Sequence, residues 1–236
     1  MPVSPETEWV LVASGLIAHA DDELDGNEVE RLMAIVDEQI PEEDYSDWLA
    51  LIGDKAKLEA RYAALPNPPE AQHRVVLEQA WTMAMVDGDR SASELVVLVN
   101  IAERFGVDPV QLEFWRAAWT EAEQELSLRV AEFAVVCLSG NELLFEDDHS
   151  LFLDLIARLP TTHDERERLG ALANEPPVDS AELARALAAM PRIRRLQVFN
   201  MVAPLIRDAV GAEAARTRFV DIGQTAGLRD IANLLS

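Results

Sequence analysis

The 236-residue sequence predicts an all-α chain built as two tandem helical repeats. Three observations carry this. Ala, Leu and Glu are abundant while glycine and aromatic residues are scarce, a balance that favours helix over sheet. Apolar residues recur at helical spacing, and no stretch alternates in the way a strand requires. One pattern, helix, short acidic turn, helix, is written four times.

Taken in order, Pro5 opens a first helix that runs to about Ala20, and Asp25 or Gly26 leads into a second that stops before Pro41. A third runs from Glu42 toward Leu65 with a break at Gly53, and Pro66-Asn67-Pro68-Pro69 interrupts the chain. Val75, Val76, Ala80, Met83 and Ala84 mark a helix over 70–86. Ser91 to Phe105 follows, with Gly106 suited to a C-terminal cap. Asp108-Pro109 starts a helix through Trp115 and Trp119, and a separate one is expected over 127–138. Phe145 to Leu159, a short helix capped by Thr161 or Thr162, and Ser180 to Met190 come next. Arg192 to Val210 contains Pro204, which should kink it or end it early. Glu213 to Ala226 and a short closing helix complete the chain. The domains are expected at 1–125 and 126–236.

The four turns set the repeat. Ala20-Asp21-Asp22-Glu23-Leu24-Asp25-Gly26-Asn27-Glu28 is the first, and Val86-Asp87-Gly88-Asp89-Arg90-Ser91-Ala92-Ser93-Glu94 the second. Each has an acid and, seven positions later, a Glu: Asp21 with Glu28, Asp87 with Glu94. The third, at Leu138 to Glu146, puts Ser139 in the place of the acid and Glu146 in that of the Glu. The fourth, centred on Asp208, has Ala215 instead of the Glu. Spacings of 66 (21 to 87) and 69 (139 to 208) imply two halves with two turns each.

Hard cations such as calcium take six to eight oxygens, and carboxylates at alternate positions of a tight turn converge on one point. Asp21, Glu23, Glu28, Asp87, Asp89 and Glu94 are the candidate ligands. The first turn begins like an EF-hand loop, but the twelfth position is Leu32, and Leu98 in the second copy, so these are not EF-hands. A competing account needs no ion: Asp25 to Glu28 and Ser91 to Glu94 each fit a capping box.

The formal charge of −23 argues against nucleic acid, since phosphate binding needs clustered Lys and Arg. The charge is uneven. From Leu183 onward eight arginines stand against four acids, leaving −27 on the residues before. Docking of that basic end on acidic surface, of this chain or of another copy, follows as an expectation, so self-association or a protein partner is expected. The longest uncharged apolar run, Trp9 to Ala20, falls short of the ~20 residues that cross a bilayer, so no membrane insertion is expected. A lone cysteine, Cys137, and no basic leader point to a cytoplasmic chain. The four histidines sit in unrelated contexts, and no nucleophile elbow or phosphate loop is present, so no enzyme is expected.

Ile17 to Glu28 and Met85 to Glu94 resemble the tellurite-resistance TerB family, whose signature is a small residue, Asp-Gly, and a Glu seven after the Asp between two helices. The likeness covers residues 5–125, and 127–236 resemble an eroded second copy. It implies an all-helical, non-enzymatic domain that binds a divalent cation through Asp21, Glu28, Asp87 and Glu94 and acts in stress response or as an interaction scaffold. Asp22 departs from the family's glycine, Ser139 from its third Asp and Ala215 from its fourth Glu. The alternative is a pure protein-protein interaction module whose turns are helix caps without metal.

Overall fold

The computed structural model describes residues 3–21, 24–86, 88, 91–140, 143–144, 146–209 and 212–235. Among the described residues the regular structure is entirely helical, twelve α-helices with three short 3-10 segments. The chain divides into two units: Met1–Glu123 with Pro160–Thr162, and Gln124–Leu159 with His163–Ser236.

The first unit holds α1 (Pro5–Ala18), α2 (Gly26–Gln39), a 3-10 turn (Glu42–Asp44), α3 (Tyr45–Ile52), α4 (Lys55–Ala64), α5 (Glu70–Met83), α6 (Ala92–Arg104) and the first half of α7 (Pro109–Ser139). Ser4 caps α1 through its side chain, which accepts from the Thr7 N–H, and Pro5 takes the first helical position. The apolar run that follows makes α1 buried on nearly every side, with Trp9, Leu11, Val12 and Ile17 in the core. At Gly15 the backbone comes so close to α4 that a Cβ there would lie 2.9 Å from Leu58 Cδ1. The predicted third helix divides at Gly53, and Asp54 starts α4 by accepting from the Lys57 N–H at 3.1 Å. Gly106, at φ +74, ends α6 with two reversed bonds, Gly106 N–H to Glu103 O and Val107 N–H to Ala102 O, both 2.9 Å.

Ring contacts fix the direction of α1 and α5. Trp9, early in α1, meets Phe105 edge-on at 4.9 Å, and His73, early in α5, stacks on the same ring at 4.5 Å. Trp9 Nε1 donates to Pro66 O at 2.8 Å, just before α5 begins. Both helices therefore start at one end of the unit and run parallel. At 1.5 Å per residue their last residues stand about 14 and 15 Å further on. The described residues that follow them, 19–21 and 84–86, lie at the same end. Arg31 Nη2 donating to Gln79 Oε1 at 3.3 Å joins α2 to the late part of α5 there.

The second unit has the rest of α7, then α8 (Glu146–Ala157), α9 (His163–Ala171), a 3-10 turn (Leu172–Asn174), α10 (Ser180–Ala189), α11 (Arg192–Asp208), α12 (Ala212–Thr225) and a closing 3-10 segment (Ile231–Leu235). Phe133, Phe199 and Phe219 form its centre, with ring centroids 4.4 to 5.3 Å apart.

Two expectations about helix ends are corrected. The helix from Pro109 does not stop for another to begin at Ser127. Neither Gly nor Pro stands between 110 and 139, and α7 runs unbroken, giving Leu112 and Trp119 to the first core and Leu126, Val130 and Phe133 to the second. Pro204 does not end α11, which continues to Asp208. Pro204 and Asn200 are both exposed, so the Asn200 carbonyl freed by the missing N–H can be met by water.

Candidate functional site

Both turns of the first unit end in a complete capping box. Asp25 accepts from the Asn27 N–H at 2.7 Å, and its own N–H donates to Glu28 Oε2 at 2.8 Å. Ser91 Oγ accepts from the Glu94 N–H at 3.1 Å, and the Ser91 N–H donates to Glu94 Oε2. The reciprocal bonds satisfy donors that a helix start otherwise leaves open.

These glutamates do not sit on the surface, as capping residues commonly do. Glu28 is 4% exposed and Glu94 3%. Glu28, Leu32 and Val36 follow one another at one-turn spacing down the buried stripe of α2, and Glu94, Leu98 and Ile101 do the same in α6. A buried carboxylate is costly unless charge or hydrogen bonds compensate it. Here the positive ends of α2 and α6 and the cap N–H groups contribute to that compensation. Each cap bond uses Oε2, and a carboxylate has a second oxygen and spare lone pairs, so capping and cation ligation are chemically compatible. The donor type, carboxylate oxygen, is the one a hard divalent cation takes.

Asp21 is exposed in the first turn. Glu23, Asp87 and Asp89, also predicted as ligands, lie outside the described residues. Among the described residues no three Asp, Glu, His or Cys side chains come together as a metal-holding group. The parallel run of α1 and α5 brings the Glu28 turn and the Glu94 turn to one end of the unit. Gly88 has φ +95, so the Asp87-Gly88 pair needs its glycine for the backbone conformation alone.

Residues 8–117 match the family model of the tellurite resistance protein TerB. These residues form a TerB-like domain. The match takes in both acidic turns and α1 to α6 and ends inside α7. No curated protein and no solved structure matches the chain.

His19 belongs to the TerB-like domain's first turn without adding a ligand to it: Nε2 donates to the Ile52 carbonyl at 2.8 Å, holding the turn to the end of α3. Arg104 does comparable work at the opposite end, lying over Trp9 and Tyr62 and donating to the carbonyls of Tyr62 and Leu65.

Outside the TerB-like domain the third turn differs from its predicted register. Glu146, expected as the third Glu, is exposed at the first position of α8. Asp148, two residues on, takes the third position that Glu28 and Glu94 occupy, and it is fully buried. Sequence reasoning missed it. The signal was present, since Asp148, Phe152 and Ile156 repeat the one-turn spacing of Glu28, Leu32 and Val36. Ser139 turns its hydroxyl back to Val135 O at 2.8 Å and so serves its own helix. In the fourth turn Ala215 is buried, and Asp208, ending α11, is exposed.

Arg218 of α12 also went unnoticed in the sequence. Its guanidinium donates to Cys137 O at 2.7 Å and Leu138 O at 2.9 Å, satisfying carbonyls at the end of α7. Burial pushes the Cys137 thiol well up, and the nearby Arg218 charge offsets this only in part. Among the described residues no helix is long and apolar enough to cross a membrane.

Proposed function

We propose that the TerB-like domain binds a divalent cation at its two acidic turns and that binding tunes a non-enzymatic, cytoplasmic interaction scaffold acting in stress response. One observation carries this reading: two buried glutamates, Glu28 and Glu94, stand at the same end of one unit, each at the start of a helix that follows an acidic turn. The ligand set on this reading is Asp21, Glu23, Glu28, Asp87, Asp89 and Glu94, with calcium among the candidate ions.

A second reading is favoured by a specific feature, the completeness of both capping boxes. On it the turns are capped helix junctions, and the chain is a protein-protein interaction module without metal.

We also propose that the second unit is an eroded copy of the first. Six helices follow in the same order in each. Asp54 and Asp179 cap α4 and α10 through their side chains, Pro69 and Pro191 precede α5 and α11, and Gly106 and Gly227 end α6 and α12 with positive φ. Leu32 and Phe152, Leu58 and Leu183, and Leu77 and Phe199 are matching core positions. In this copy the third turn keeps its buried acid as Asp148, and the fourth has lost it to Ala215.

The deciding experiment is thermal unfolding of chelator-stripped protein with calcium, magnesium, manganese or zinc added back singly. Saturable binding to the folded chain raises the midpoint as concentration passes the dissociation constant. A rise with one ion that disappears in Asp21→Asn with Asp87→Asn supports the cation reading. No rise with any ion leaves the capped junctions and the interaction module.

A further inference from the structure

Among the described residues the most exposed large apolar side chains fall on two elements. On α7, Val110 is 78% exposed and Phe114, one turn on, 71%. Ala117 and Ala118 extend this stripe, and exposed Glu113 and Glu121 border it. In the second unit Ile193 is 74% exposed in the first turn of α11, between Arg192 and Arg194.

The helix dipole disfavours both arginines at this place. Cations in a first turn face the positive end of the helix dipole, and each costs a few tenths of a kcal/mol or more. Their neighbour Arg195 shows what a structural arginine does here: it donates to the carbonyls of Ala188, Met190 and Ala226, tying α10 and α12 to α11. Arg192 is exposed, and Arg194 reaches Gln197 at 3.4 Å.

We propose that the two faces are the halves of one interface between copies of this chain, with Ile193 of one copy seated against Val110 and Phe114 of the next. Arg192 and Arg194 then meet the glutamates that border the α7 stripe, of which Glu113 is exposed while it holds the mostly buried Arg116 at 2.8 Å. Charge selects the occupant. The segment from Leu183 carries eight arginines against four acids, while the residues before it carry −27. The α7 stripe, with Val110 and Phe114 beside exposed Glu113 and Glu121, offers both the apolar and the acidic half of what the Ile193 face needs, a match local to the contact since every copy carries −23 overall. Each copy carries both halves of the contact, a different patch on each side.

The test is sedimentation velocity of the full chain over a concentration series, in chelator so that cation binding plays no part, at low and at high salt. The expected result is association that grows with concentration and weakens as salt shortens the screening length to about 8 Å at 0.15 M. Ile193→Asp and Phe114→Asp each return the chain to monomer, with helical circular dichroism unchanged because both positions are exposed. Mixed in equal amounts, the two variants form a dimer and nothing larger, since Ile193 of the Phe114→Asp chain still finds the intact α7 stripe of the Ile193→Asp chain. A wild-type chain that stays monomeric at low salt overturns the proposal. So does association that survives both variants, a mixture that yields no dimer, or a monomer that binds phosphatidylserine vesicles through Ile193.

Discussion

Replacing Glu28 and Glu94 together by glutamine separates capping from cation ligation. The amide keeps an oxygen that accepts the Asp25 and Ser91 N–H groups, so the boxes persist while both charges go. Without cation, each helix start loses ~0.3–1 kcal/mol of dipole interaction. Removing a buried charge returns part of that. The net for the pair is about 1 kcal/mol, or roughly 4 °C in a domain of this size. With cation at a hundred times its dissociation constant, the wild-type chain gains about 2.7 kcal/mol per site. At the same conversion this is roughly 11 °C for each occupied site, and the glutamine pair forfeits both. Alanine at both positions is the control. It strands the two cap N–H groups and costs ~1–3 kcal/mol each even in chelator. Scanning calorimetry of the full chain, stripped and reloaded, reads all of these values. A glutamine pair that keeps the full cation shift removes the glutamates from the ligand set. If it falls as far as the alanine pair in chelator, the boxes do not hold the helix starts in the way described.

Two further outcomes follow from packing. Gly15→Ala puts a methyl 2.9 Å from Leu58 Cδ1 and 3.2 Å from Cδ2, in a core where Leu58 is fully buried, so urea unfolding should show a loss of ~1–3 kcal/mol; an unchanged midpoint would mean that α1 and α4 separate without cost. Because the folded Cys137 thiol is held well above its unfolded value, its stabilising contribution is complete below the ordinary thiol pKa of about 8.5 and declines as pH rises past it, by at most ~1.4 kcal/mol per pH unit. Cys137→Ala removes that alkaline slope, and an identical slope in the variant would assign it to another group.

Helix starts were legible in the sequence because they are local. Asp25 with Glu28 and Ser91 with Glu94 lie within four residues of each other, and a capping box is complete within that span. Helix ends depend on surroundings that lie further off. Pro204 reads as a breaker, yet the cost of its missing N–H depends on whether the Asn200 carbonyl faces water. A separate helix was expected from Ser127, and a helix does not need to stop where its buried face passes from one core to another. In the candidate site, the pairing of the turns was visible as a repeat. The depth of Glu28 and Glu94 went unread, although positions 28, 32 and 36, or 94, 98 and 101, form one stripe. The same rule finds Asp148, whereas counting seven residues from Ser139 finds the exposed Glu146. Arg218 could not be seen, because it meets carbonyls some eighty positions earlier in the chain.

The unbroken course of α7 means that kinship and folding mark different borders on this chain. The family match stops at residue 117, but the first core does not. Trp119 lies buried beyond that limit, and Thr120 accepts the Trp81 indole N–H at 3.0 Å. A fragment trimmed to its inherited outline would surrender an aromatic anchor and strand a donor on α5. A piece that keeps the first core whole is thus longer than the piece the family match covers.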